Sequence, residues 1–181
     1  MTNIIVFCRA EIMEKTGPML KYNAYIEKTL FKDIIENTPL VSLDLVVRQG
    51  KKILLGKRLN KPAQGYWFTM GGRILKNEKL EHTIERIAKD ELGIQLEGIP
   101  RFVGVFEHFY EESIYEGVST HYVNLVYETE VHHLSNLPED QHDAYRWFTV
   151  GELLESESVH PYVKEIFMHE KQVIQTDKGT V

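Results

Sequence analysis

GGRILKNEKLEHTIERIAKDELGI, residues Gly71 to Ile94, joins a double glycine to a helix whose two faces differ in chemistry. Leu80, Ile84, Ile87, Ala88 and Leu92 recur at helical spacing and predict an amphipathic helix running about from Lys79 to Leu92. Gly71-Gly72 reads as a break before it, and Gly93 as its stop. Positions 87, 90 and 91 are related by i, i+3 and i+4, so they share one helix face. In this chain that face carries Ile87, Asp90 and Glu91.

The flanking segments suggest what this helix packs on. PLVSLDLVVRQGKKILLGKR (39–58) gives two strand-like runs, Leu40 to Val47 and Lys52 to Arg58, joined by a turn at Gly50. Tyr66 to Met70 reads as a short strand. RFVGVFEHFY (101–110) and THYVNLVYETE (120–130) predict a second hairpin across a polar loop, and VHHLSNLPEDQHD (131–143) is a polar loop before strand-like YRWF (145–148). Upstream, Ile26, Leu30, Phe31, Ile34 and Ile35 predict a helix over Tyr22 to Glu36, closed by Pro39. Two short helices end the pattern: Thr149 and Glu152 have capping-box spacing, and Pro161 suits a first helical position. Mixed strands with a central helix and helices at both ends indicate an α+β fold or an α/β/α sandwich.

The length of 181 residues suits one domain over 22–181, with 1–21 as an appended, poorly ordered N-terminal extension. Lysine and arginine number 21 against 27 acidic residues, a net charge of −6 with no basic block, which argues against nucleic-acid or membrane-surface partners. The apolar run Ile4 to Cys8 is interrupted by Arg9 and Glu11, too short for a signal or a membrane span, and Cys8 is the single cysteine. A cytoplasmic location is the expectation.

Gly72, Glu78, Arg86, Glu91, Gly93 and Ile94 stand at the spacing G-x5-E-x7-R-E-U-x-E-E-x-G-U, where U is a bulky apolar residue. With Ala88 at a U position, seven of its nine fixed positions are met, and the departures are Ile87 and Asp90, each where the pattern has glutamate. This resembles the Nudix box. Further matches lie at PLVSLD (39–44), LLGKR (54–58), NKPAQGYWF (60–68), HFY (108–110), THYV (120–123) and QHDAYRW (141–147). Together they resemble the GDP-mannose mannosyl hydrolases, a Nudix branch that itself lacks the glutamate replaced by Ile87.

That resemblance implies an α/β fold, a Nudix-type α/β/α sandwich with a mixed sheet and a loop-helix-loop metal site. It implies Mg2+-dependent hydrolysis of GDP-mannose, or a related GDP-hexose, by water attack at the anomeric carbon with inversion. His142 is the implied general base, an imidazole being suited to proton abstraction near neutral pH. One Mg2+ per subunit, with Mn2+ as the alternative, would be held by Glu91, the Gly71 carbonyl and Gln141. Arg58 and Arg73 match diphosphate-binding arginines, whose planar forks suit phosphate oxygens; Arg58 is grouped with His142 as catalytic. Tyr122 matches a residue that holds the leaving group. Arg86 is included with the substrate-binding positions, although orienting the site is its favoured role. Asp44 and His108 are the candidate sugar contacts, and the resemblance implies a homodimer acting on a small nucleotide sugar.

Each residue also has an ordinary reading. Ile87 fits the apolar stripe and is favoured as core. Glu78 reads as a complement to the helix dipole, worth about 0.3–1 kcal/mol, and not as a ligand. His82, His132, His133, His160 and His169 read as ordinary side chains, and His121 as structural because it alternates away from Tyr122. Tyr66, Trp67, Phe68, Phe106, Phe109 and Trp147 admit a base-stacking platform, but alternating aromatics in strands are usually core, and Trp67 and Trp147 are kept there. Two other functions compete: a pyrophosphatase attacking phosphorus to give GMP and a sugar 1-phosphate, and a non-catalytic nucleotide-sugar sensor.

Overall fold

A computed structural model describes residues 26–132, 134, 137, 138 and 142–168, with the side chains of 142 and 143 left out of the description. The N-terminal extension, Cys8 and Gln141 lie outside the described residues. The first helix, α1 (Lys28–Asn37), starts later than its apolar spacing suggests, because the Glu27 carboxylate accepts from the amides of Thr29 and Leu30 and so caps it. Ile26 precedes the cap. Ile35 is buried with Leu40 and Val118, and Phe31 and Ile34 pack on the same small cluster.

β1 (Leu40–Gln49) is the hub of a seven-stranded mixed sheet. Its end pairs with β2 (Lys52–Arg58) as the expected hairpin, over Val47–Leu54 to Gln49–Lys52. Its first half pairs antiparallel with β4 (Met70–Arg73), which follows the two-residue β3 (Trp67–Phe68). Gly71 and Gly72 are therefore strand residues, correcting their reading as a break. Along its length β1 also runs parallel to β6 (Thr120–Glu130), which pairs antiparallel with the edge strand β5 (Arg101–Tyr110). β7 (His142–Thr149) lies on β2 and starts earlier than YRWF implied.

Period-two alternation in β1 divides the core between the two faces of the sheet. Leu43, Leu45 and Val47 pack with Leu54 and Met70 under α2 (Leu80–Leu92), against Ile84, Ile87, Ala88 and Leu92. Val46 faces the other way with Ile53, Leu55, Val126 and Phe148, beneath α3 (Val150–Glu155) and α4 (161–168). The chain thus has the α/β/α layering that the resemblance implies. Leu80, at the start of α2, is substantially exposed and does not join its stripe.

Local chemistry explains the helix ends. Gly93 takes φ 68° beyond the end of α2, and the amides of Gly93 and Ile94 return to the Lys89 and Ala88 carbonyls. Thr149 and Glu152 form the expected capping box of α3, and Pro161 opens α4. Among the described residues no helix is long and apolar enough to cross a membrane.

Candidate active site

The register of β1 against β4 sets Gly71 opposite Asp44. A Cβ at Gly71 would stand 2.3 Å from Asp44 Oδ1 and 2.9 Å from the Leu43 carbonyl oxygen, so only glycine permits this approach. Asp44 is 6% exposed, and the Thr69 hydroxyl donates to its Oδ2 at 2.9 Å. Burial pushes the Asp44 carboxyl up to about 6, opposed by Thr69, Asn124 and Arg58 and reinforced by Glu91. Arg58 of β2 and Glu91 of α2 thus lie within electrostatic reach of one buried acid, beside Gly71.

The raised Asp44 has a signed consequence. Its contribution to stability is present in full below the unfolded value of 3.8 and is lost as pH rises through about 6. Asp44→Asn should therefore gain stability over the parent at pH 8, on the order of 2–3 kcal/mol, and almost none at pH 4. Urea midpoints at the two pH values check this; equal gains at both would sink the assignment.

Arg58 Nε donates to the Pro62 carbonyl at 2.9 Å, and the guanidinium carbon lies 5.5 Å from the centre of the Phe68 ring. Its plane is held from two sides. The Arg73 guanidinium carbon sits 4.3 Å over the Phe31 ring, so α1 supports this second arginine. Burial pushes the Tyr122 hydroxyl up while Arg58 and Arg73 pull it down, which places both arginines about one phenol. Burial also pushes Tyr110 well above the ordinary phenol range, with Asp44 adding to the rise.

Ile87 is 1% exposed within the core under α2. A glutamate there would carry charge into an apolar cluster in this arrangement. Glu91, one turn on, is half-buried, and its carbonyl accepts from the Tyr145 hydroxyl at 2.9 Å. That hydroxyl also lies 2.6 Å from the Pro138 carbonyl, tying the loop before β7 to the end of α2. Gln141 falls in that loop outside the described residues. The backbone of His142 pairs with Arg58 across β2 and β7.

Glu78 differs most from its expected role, and Arg86 is its partner. Glu78 is buried and accepts from Arg86 Nε (2.7 Å) and Nη2 (2.9 Å), from Thr83 Oγ1 (2.9 Å) and from the Leu75 amide (3.0 Å). It is the anchor of the loop before α2, not a dipole complement. Arg86 also donates from Nη2 to the Arg73 carbonyl at 2.9 Å. These are contacts of a brace between loop and helix, which favours the orienting role for Arg86 over substrate contact.

His108 is 4% exposed and lies flat on Tyr162, with ring centroids 4.3 Å apart and planes 9° off parallel. Its Nε2 is buried without a hydrogen-bond partner. Burial, then His160, pushes its imidazole down to about 4; burial, then Arg58, does the same to His160. His121 stacks on Phe109, and Phe109 is 60% exposed, so the usual core reading of strand aromatics does not hold for it. Nor does it hold for Tyr66, which is 40% exposed.

Sequence reasoning missed Thr69, Tyr110, Asn124, Tyr145, His160 and Tyr162 as neighbours of the site. Tyr110 and Tyr145 lie inside quoted motifs, HFY and QHDAYRW, and period-two spacing puts Tyr110 on the face of His108. His160 and Tyr162 flank the proline that opens α4 and had no spacing signal.

A family model for the NUDIX domain matches residues 38–169. The low-salt glycan biosynthesis protein Agl8 of Haloferax volcanii is 40% identical over 132 residues, 72% of this chain and 81% of that protein. A MutT NUDIX hydrolase of Burkholderia pseudomallei superposes with a TM-score of 0.57 at 26% identity, covering 72% of this chain and 96% of its own. The NUDIX domain of Shewanella oneidensis NrtR, solved with ADP ribose, gives a TM-score of 0.59 at 15% identity, covering 82% and 99%. At that identity the likeness is one of fold.

Proposed function

We propose, from the premise that this chain belongs to the NUDIX domain family, that it is a hydrolase releasing free hexose from GDP-mannose or a closely related GDP-hexose. The observation that carries the reading is Ile87 buried in the core where the full box has a carboxylate, while Glu91 is kept within electrostatic reach of Asp44. A relative named for glycan biosynthesis supports a nucleotide-sugar substrate.

Nudix hydrolases use divalent cations such as Mg2+, and the donors in this chain fit a hard one. Gly71 brings its backbone beside Asp44, and Glu91, within electrostatic reach of that acid, would supply a carboxylate oxygen. Among the described residues no three His, Cys, Asp or Glu side chains converge on a common cation position. Glu91, the Gly71 carbonyl and Gln141 would hold one Mg2+, with Mn2+ as the alternative, and the bound ion would supply charge neutralisation of the diphosphate.

The protein's own groups divide the remaining work. Arg58 and Arg73 hold the diphosphate, their planes set by Pro62, Phe68 and Phe31. Tyr122, whose hydroxyl feels both guanidiniums, steadies the leaving group. Asp44 and His108 bind hexose hydroxyls on the sheet face beneath α4. His142 takes a proton from water as its oxygen bonds to the anomeric carbon. The bond from that carbon to the glycosidic oxygen breaks, and its electron pair leaves on GDP. A diphosphate needs charge stabilisation more than protonation, which suits a site with two arginines and no acid assigned to the leaving oxygen.

Hydrolysis in ¹⁸O-labelled water tests the reaction. Label in the free sugar, with GDP as co-product, is expected; label in a phosphate, with GMP formed, would establish attack at phosphorus. Ligand binding with no turnover would leave the sensor reading.

A further inference from the structure

Behind the proposed sugar contacts lies a group of side chains with no role so far, where the turn opening α4 meets β5. We infer that Tyr162 is a positioning residue for His108, and that the turn from His160 to Tyr162 sets specificity for the sugar half of the substrate. This rests on the functional reading above.

The first observation is the clamp on Tyr162. Its hydroxyl donates to the Phe109 carbonyl at 2.7 Å and accepts from the Phe109 amide at 2.8 Å. Both bonds go to the residue next to His108, so the tyrosine ring is fixed to the strand whose imidazole it covers. At the other end, the Tyr162 amide donates to His160 Nδ1 at 3.3 Å. That bond sets the neutral His160 tautomer, with its hydrogen on Nε2. His160 is itself enclosed by Tyr66, Phe68 and Tyr110, with ring centroids 5.0, 5.3 and 5.6 Å away.

The second observation is independent. His108 Nε2 is buried with no protein partner. Leaving such an atom unsatisfied is costly, and tilting the imidazole out of its plane to relieve it would break the stack on Tyr162. The stack therefore holds the ring with a nitrogen that no protein group satisfies, and a ligand hydroxyl would complete it. Both imidazoles stay neutral near pH 7, since burial pushes each down to about 4. A neutral imidazole can donate to one hydroxyl and accept from another, and offers no charge to a phosphate. The anionic half of the substrate goes to Arg58 and Arg73, and the polyol half meets these neutral imidazoles beside Asp44.

The test compares KM for GDP-mannose with the inhibition constant of GDP, using the full chain with Mg2+. Tyr162→Leu is expected to raise KM about tenfold and leave GDP inhibition unchanged, while Tyr162→Phe, which keeps the ring but loses both bonds to Phe109, gives a smaller rise. In a His108→Ala background Tyr162→Leu should add nothing further. The inference is overturned if Tyr162→Leu weakens GDP as much as GDP-mannose, if it changes neither, or if the phenylalanine variant is equally impaired. Should the leucine variant not fold, the ring-proton resonances of His108 in the parent decide. They should move on adding GDP-mannose and stay put with GDP, and equal movement with both overturns the inference. A parent that releases no hexose removes the functional reading itself, whereas one that does so with Tyr162→Leu unimpaired removes only the role of Tyr162.

Discussion

His142→Gln is expected to lower turnover of GDP-mannose by about 10²- to 10⁴-fold, the usual worth of a positioned general base. Mg2+ dependence and inhibition by GDP should persist, because Glu91, Arg58 and Arg73 are untouched. The first residue of β7 pairs with Arg58, so one backbone register links the proposed base to a proposed diphosphate ligand. Glutamine keeps the size and hydrogen bonding of the side chain but cannot take the proton. Steady-state kinetics with hexose detection measures the loss; a variant within a few-fold of the parent would remove His142 as the base.

The second large effect is on stability. Arg86→Ala should cost about 3–5 kcal/mol, because it leaves the buried Glu78 carboxylate without its cation. Denaturant unfolding at pH 7 reads this directly, and a loss below about 1 kcal/mol would contradict the brace. Burial raises the Glu78 carboxyl, but bonds from Arg86, the Leu75 amide and Thr83 outweigh it and hold the group below its usual value. The stabilisation is therefore present above the unfolded value of 4.5 and is lost as pH falls through the lowered folded one. The variant should lose this acid-side dependence. Activity should fall as well, since the same guanidinium holds the Arg73 carbonyl.

α2 was legible because its stripe, its Gly93 stop and its start at Lys79 all agreed, and the capping box of α3 was readable from two residues. Both are local signals. The pairing of β1 with β6 was not, since a parallel register between Leu40 and Tyr122 leaves no mark in either strand alone. Gly71-Gly72 looked like a break for the same reason: glycine usually ends a strand, and the closeness of Asp44 that demands it here is a tertiary fact. Glu78 was misjudged because its partner lies eight residues on, outside the i, i+4 rule, across the bend between loop and helix. Exposed Phe109 shows how alternation identifies a strand without saying whether both of its faces are covered.

The C-terminal helices bear on synthesis as well as on catalysis. Val46, Ile53, Leu55 and Val126 are buried only when Leu153, Val163, Ile166 and Phe167 close over them. The central sheet is laid down by residues 40–149, so for most of translation one of its faces has no cover. Closure also requires parallel pairing between strands about eighty residues apart, a slow kind of contact to form. The emerging chain would therefore keep an apolar sheet face exposed until Phe167 is free, making the interval before that moment its most aggregation-prone.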